Sequence, residues 1–240
     1  MQLKKNTKII SFFLILLSIS SFFLGYYLDE NSAGAGSYDG DFQNIWKNLQ
    51  IFLNNDILSA ITHPNYGDSR TPIAYILHKF FNPFLENEIN YRRSVFIISL
   101  TIPLLFYFCL KQKFIKADNL LLLLISSTIF LSPYYRTSAY WGLQENYGYI
   151  FLLLTFLFLN SFLQNNNQKT FKAYFHLLLI TFLSSLCVYF DQKLIIIPII
   201  CLFKIINSEK LIKFKLFSFF FYLILSLPYF YLISLWGALI

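Results

Sequence analysis

The sequence predicts an all-α membrane protein of about seven transmembrane helices, with a long first outer loop carrying two interfacial helices. Three observations lead there. The 240 residues are 57% hydrophobic and 20% aromatic with only 13% charged, far from the roughly 25% charge of a soluble domain. Apolar runs of about membrane-crossing length recur along the chain. The charges fall between those runs in an alternating pattern.

The runs cover residues 9–28, 94–110, 119–133, 149–163, 175–190, 194–206 and 216–237. Several are shorter than the ~20 residues a span requires and must borrow flanking Tyr, Phe and Ser. The first follows Lys4, Lys5 and Lys8 and precedes Ala33-Gly34-Ala35, a loose likeness to a cleaved signal. Its length exceeds the 7–15 residues of a secretory apolar region, so an uncleaved anchor is expected. No repeat, linker or low-complexity block divides the chain, and residues 1–240 read as one membrane domain.

Orientation follows from Lys and Arg placement. With a cytoplasmic N-terminus, the inner segments carry lysines 4, 5, 8, 111, 113, 116, 169, 172, 204, 210, 213 and 215 against only Asp118 and Glu209. Every arginine and all other carboxylates then fall outside, so the net charge of +7 follows the membrane rather than nucleic acid. The localisation expected is a multi-pass bacterial inner-membrane protein whose active face is periplasmic. Cys109, Cys187 and Cys201 lie inside apolar runs, where thiols act as small hydrophobes. His63, His78 and His176 are too scattered for a zinc motif.

Residues 29–93 form the first outer loop. Phe42, Ile45, Trp46, Leu49, Phe52 and Leu53 recur at helical spacing up to Asn54-Asn55-Asp56, and Ile73 to Phe84 gives a second apolar stretch after Pro72. Both read as amphipathic helices in the interface. Asp41 stands just before the first pattern, where a helix N-cap is expected, with Asp39 favoured by the helix dipole.

Other charges have two readings each. Arg92 and Arg93 open the second span, where the helix dipole disfavours cations, so they either snorkel to lipid phosphates or hold a bound phosphate. Arg136 and Glu145 stand in the aromatic turn S-P-Y-Y-R-T-S-A-Y-W-G-L-Q-E-N-Y-G, whose Tyr and Trp residues suit a membrane belt but whose charges do not. Asp191-Gln192-Lys193 lies between two closely spaced apolar runs, as a salt bridge or a functional pair.

In order along the chain, these elements resemble the GT-C superfamily of polyprenyl-phosphate-sugar-dependent glycosyltransferases, in the branch of protein O-mannosyltransferases and lipid A aminoarabinose transferases. In that family a first span leads to an acidic pair, an interfacial helix, a Gly-Asp-like turn, a Tyr-x-x-x-Pro element, a second interfacial helix and an Arg opening the next span. Here Tyr38-Asp39-Gly40-Asp41, Asn55-Asp56, Tyr66-Gly67-Asp68-Ser69-Arg70-Thr71-Pro72 and Tyr91-Arg92-Arg93 take those places. Glu145 matches the second-loop acid, and Lys193 before Pro198 matches a Lys-Gly-Pro-like turn. The family acids are usually adjacent, whereas Gly40 separates Asp39 from Asp41, and an adjacent pair, Asp29-Glu30, lies upstream at the end of the first span. Asp39 and Asp41 are preferred because they directly precede the amphipathic helix. Family members usually run longer, and this chain ends inside a hydrophobic segment, so a truncated product or the catalytic half of a longer protein is expected.

The resemblance implies transfer of a sugar from a polyprenyl-phosphate carrier to a lipid, glycan or protein acceptor on the outer face, with inversion in a single displacement. It assigns the base to Asp41, with Asp39 second, and substrate binding to Arg70, Arg92, Arg93, Arg136, Glu145 and Lys193. Membrane lipids are implied partners and nucleic acid is not. No cofactor motif is present, no metal ligands are assigned, and a divalent metal requirement stays open. Two rival classes are a non-catalytic membrane subunit or inactive fragment and, further off, a transporter or flippase, whose midplane charges and repeated halves are not seen.

Overall fold

A computed structural model describes residues 5–31, 37–68, 70–164 and 170–236. The regular secondary structure of the described residues is all helical, without a β-strand. Five helices are long and apolar enough to cross a membrane: Asn6–Tyr27, Glu88–Lys113, Glu145–Gln164, Phe171–Phe190 and Ile212–Trp236. A sixth crossing arises if Asn119–Leu131 and Pro133–Tyr140, bent by 66°, act together. The protein is therefore an all-α integral membrane protein. The expected run 194–206 folds as a short 3₁₀ turn, Gln192–Ile195, and an 11-residue helix, Ile196–Ile206. At 1.5 Å per residue that helix spans about 17 Å, short of the ~30 Å apolar layer.

Two compact units organise the chain. The first comprises residues 1–68 and 74–146. It contains α1 (Lys5–Tyr27), α2 (Gln43–Asn54), α3 (Ile57–Ile61), nearly all of α4 (Ile73–Phe81), α5 (Glu88–Ser99), α6 (Thr101–Lys113), α7 (Asn119–Ser127) and α8 (Pro133–Tyr140). Local signals set several of these ends. The side chains of Asp56, Asn87 and Asp118 accept bonds from the backbone amides of Ser59, Asn90 and Leu120, satisfying orphan donors of α3, α5 and α7. Pro133 begins α8, a place where its missing N–H costs nothing.

An aromatic core holds this unit together. Phe22 of α1 is fully buried, stacked on Phe96 of α5 at 5.1 Å and on Tyr135 of α8 at 5.2 Å. Aromatic pairs of this kind add about 0.5–1.5 kcal/mol each beyond the area they bury.

The entry to α2 differs from the sequence expectation. A π-helical turn, Ser37–Phe42, runs directly into the helix, and Phe42 already has helical dihedrals of −66° and −47° with no side-chain cap. Asp41 is thus not an N-cap, because a capping residue must leave the helical region to turn its side chain onto the first amides. The apolar stripe of α2 also has a different destination. Ile45, Leu49 and Phe52 are buried within the protein, so its amphipathicity serves the core of its own unit. Lys79 of α4 locks the far end of α2, donating to the carbonyls of Phe52 at 2.7 Å and Asn55 at 2.5 Å.

The second unit comprises residues 69–73 and 147–240. Its described helices are the body of α9 (Glu145–Gln164), α10 (Thr170–Phe190), α11 (Ile196–Ile206) and α12 (Ile212–Trp236). Leu177, Ile180, Cys187, Cys201 and Ile205 are among its core residues. Thr71, carried on the 69–73 segment, hydrogen-bonds the carbonyl of Tyr189 at the end of α10.

Candidate functional site

The site grows from the end of α1. Glu30 N–H reaches back to the Gly25 carbonyl at 2.9 Å and Asp29 N–H to that of Tyr26 at 3.3 Å. This is a Schellman closure, and it requires a left-handed residue at the turn. That residue is Asp29, with φ of +50°, rather than the usual glycine. A side chain there costs about 1 kcal/mol, less for Asp than for most residues, and such outliers concentrate at functional positions.

Two arginines receive the adjacent carboxylates. Arg92 donates to Asp29 Oδ1 at 2.5 Å and, through Nε, to the Tyr140 carbonyl at 2.8 Å. Its guanidinium lies 4.1 Å from the centre of the Trp141 ring, a cation–π stack. Arg136 is 8% exposed and pairs with Glu30 through Nη2, while donating to Ser21 Oγ at 3.1 Å and the Ser21 carbonyl at 3.0 Å. Its Nε is buried with no partner. Trp141 Nε1 closes the cluster by donating to the Glu30 carbonyl at 3.2 Å.

Gly25 makes this packing possible, because a Cβ there would fall on Arg136 Nη2, Glu30 Oε2 and the Tyr140 hydroxyl. Beside the pair lies a cavity of about 360 Å³ lined by Ser21, Leu24, Gly25, Leu28, Glu30 and Arg136. The cluster offers an anion two guanidinium groups, each pre-positioned by a carboxylate, next to an apolar wall.

A second polar group sits in the same unit. The Asp68 carboxylate accepts from the Tyr75 hydroxyl and from Gln144 Nε2 at 3.1 Å. Burial, reinforced by the neighbouring Asp68 charge, pushes the Tyr75 phenol well up, so it stays a donor. Asn48 Oδ1 accepts from Gly67 N–H at 3.2 Å and Asn44 Nδ2 donates to the Gly67 carbonyl at 3.3 Å, tying this loop to α2. Nearby, burial holds His78 neutral, its pKa pushed down to about 4. Asn82 Nδ2 lies 2.9 Å from His78 Nδ1 and 2.9 Å from Ser94 Oγ.

Both groups meet in one short turn. Tyr140 and Trp141 serve the arginine cluster, the Gly142 carbonyl accepts from the Tyr91 hydroxyl at 2.7 Å, and Gln144 serves Asp68. Gly142 has φ of +67°, and a Cβ there would lie 2.6 Å from the Tyr91 ring, so the turn requires glycine.

Of the residues singled out from sequence, Arg92 and Arg136 lie in the cluster. Arg93 is exposed beside Tyr26. Glu145 opens α9 and accepts from Ser138 Oγ at 3.0 Å. Asp41 is exposed on the π-helical turn, and the Asp39 side chain lies outside the described residues. Arg70 and Lys193 belong to the second unit, where Lys193 is exposed and its backbone N–H, not its ammonium, bonds Asp191 at 3.0 Å. Sequence reading set Asp29 and Glu30 aside and did not single out Tyr75 or Gln144. Adjacent carboxylates at a span end were the signal available for the first pair. Among the described residues no three His, Cys, Asp or Glu side chains gather as a metal-binding group.

Compared with family models, curated proteins and solved structures, the chain finds no match in any of the three.

Proposed function

We propose that the chain is an integral membrane glycosyltransferase that moves a sugar from a polyprenyl-phosphate carrier to an acceptor hydroxyl. The observation that carries this reading is the adjacent Asp29–Glu30 pair at the end of the first span, each carboxylate held by its own arginine. The lysine-rich segments favour a cytoplasmic N-terminus, which puts the pair at the outer face.

In this reading the acceptor oxygen attacks the anomeric carbon, its proton passes to a carboxylate, and the bond from that carbon to the phosphate oxygen breaks with inversion. The departing oxygen keeps the electron pair, and Arg92 and Arg136 stabilise its charge. Asp29, whose side chain is 62% exposed, suits the base. Glu30 suits the orienting role, since it is engaged by Arg136 and Trp141. Asp41 becomes a surface carboxylate. A second reading, a membrane subunit without chemistry, draws support from the same pairing, because both arginines already have internal anions.

Transfer of radiolabelled sugar from hexosyl undecaprenyl phosphate into envelope acceptors, in membranes expressing the chain, separates the two. Asp29→Asn at unchanged expression is expected to lower transfer by about 10²–10⁴-fold. Wild-type transfer by that variant would overturn the base assignment, and an inert wild-type protein that still binds the carrier would favour the subunit.

A further inference from the structure

We infer that Asp68 and Gln144 form a hydroxyl-binding subsite that reads the sugar of the donor, separate from the arginine cluster that reads its phosphate. This rests on the transferase reading above and adds the specificity residues to it.

The amide orientation of Gln144 is fixed by its neighbour. A carboxylate accepts only, so the Gln144 NH₂ must face Asp68, as it does at 3.1 Å. The other end of that amide is then an acceptor, and Gln144 Oε1 is buried without a donor, on a residue only 1% exposed. A buried carbonyl left unpaired costs about 1–3 kcal/mol. What it lacks is a donor, and the adjoining group is the Asp68 carboxylate, whose Oδ2 takes the Tyr75 hydroxyl.

A ligand hydroxyl answers both needs. It is a donor to Oε1, and it carries lone pairs of its own for the second N–H of the Gln144 amide. An anion is excluded by Asp68, and an ammonium could not accept from the Gln144 amide. Half-buried Tyr66, edge-on to Tyr75 at 6.1 Å, and Phe52, stacked on it at 5.4 Å, wall the group with aromatic rings.

Chain geometry sets the distance between the two sites. Trp141 touches the arginine cluster and Gln144 touches Asp68, three positions apart along the chain. Their Cα atoms cannot lie more than about 11 Å apart even in an extended chain, and the left-handed Gly142 shortens this path. The backbone that carries the two groups is therefore close enough for one sugar phosphate to address both, with the phosphate toward Arg92 and Arg136 and the ring toward Asp68 and Gln144. The subsite takes a neutral polyol ring, a hexose or pentose, rather than a second anion.

The test uses the full chain in lipid nanodiscs and two probes, undecaprenyl phosphate and hexosyl undecaprenyl phosphate. The wild-type protein is expected to bind the sugar-bearing lipid roughly ten- to a hundredfold more tightly, in line with one or two hydrogen bonds to a charged or buried group. Asp68→Asn and Gln144→Ala are each expected to bring that ratio to within about threefold. The bare lipid, read by Arg92 and Arg136, reports folding of each variant, and Tyr75→Phe serves as a milder second probe of Asp68. If both variants keep the wild-type ratio, or the wild-type protein binds the two lipids alike, this subsite is overturned and the arginine reading stands. If neither lipid binds, the arginine reading fails and the subsite with it.

Discussion

Asp29–Glu30 and Asp41 stand in the same stretch of chain, yet the fold treats them in opposite ways. The first pair sits on a helix end closed by backbone hydrogen bonds, with Asp29 forced into a left-handed conformation and both carboxylates met by arginines. Asp41 sits on a π-helical turn, exposed, with its helix entered without a side-chain cap. A carboxylate becomes useful for chemistry when something holds it, and here the holding is done by distant parts of the chain. Local pattern made Asp41 look like the anchored residue, and tertiary structure gave that role to Asp29 and Glu30.

The comparison breaks most visibly at Arg136. Arg136→Met leaves Glu30 without its cation, beside a wall where burial makes an uncompensated charge costly. Breaking a buried pair costs about 3–5 kcal/mol. The Glu30 side chain is 34% exposed, so water returns part of this and a loss of roughly 2–3 kcal/mol is expected in thermal unfolding. The double variant Glu30→Gln with Arg136→Met should recover at least about 1 kcal/mol, because no charge is then stranded. A single-variant loss below about 0.5 kcal/mol would show that the pair does not anchor the end of α1.

Much of this contrast was invisible in the sequence for a physical reason. Hydropathy reported the long spans, whereas Asp56, Asn87 and Asp118 were not singled out as helix caps. The short α11 differs from the expected span in length, which apolar composition does not report. The site depends on contacts across 63 residues for Arg92–Asp29, 106 for Arg136–Glu30 and 76 for Gln144–Asp68. Periodicity and capping rules act within a few residues and carry no information at those separations. Arg92 and Arg136 could be read as cations lacking a local reason. Their partners could not.

Asp29→Gly sharpens the comparison by separating stability from chemistry. Glycine accepts the left-handed conformation and recovers about 1 kcal/mol. The lost pair joins an exposed carboxylate to a largely buried arginine that keeps the Tyr140 carbonyl and the Trp141 ring, so its loss is worth about 1 kcal/mol. Thermal stability should therefore stay level, within about 1 kcal/mol, while sugar transfer falls as far as in Asp29→Asn. A variant that is destabilised by more than about 2 kcal/mol would mean that the carboxylate serves the fold, and the functional reading of its left-handed backbone would lose its basis.

The smallest effect expected is at Asp41, and it tests the assignment from the other side. An exposed aspartate that caps no helix has little to lose on conversion to asparagine, so Asp41→Asn should change stability by less than about 0.5 kcal/mol. If Asp29 takes the proton, the same variant should transfer sugar within about twofold of the wild-type rate, measured in the membranes used for Asp29→Asn. A fall matching that of Asp29→Asn would return the base to the π-helical turn. The arginine-held pair would then be an anchor that positions the turn, because an exposed carboxylate affects a rate that strongly by meeting the reacting atoms.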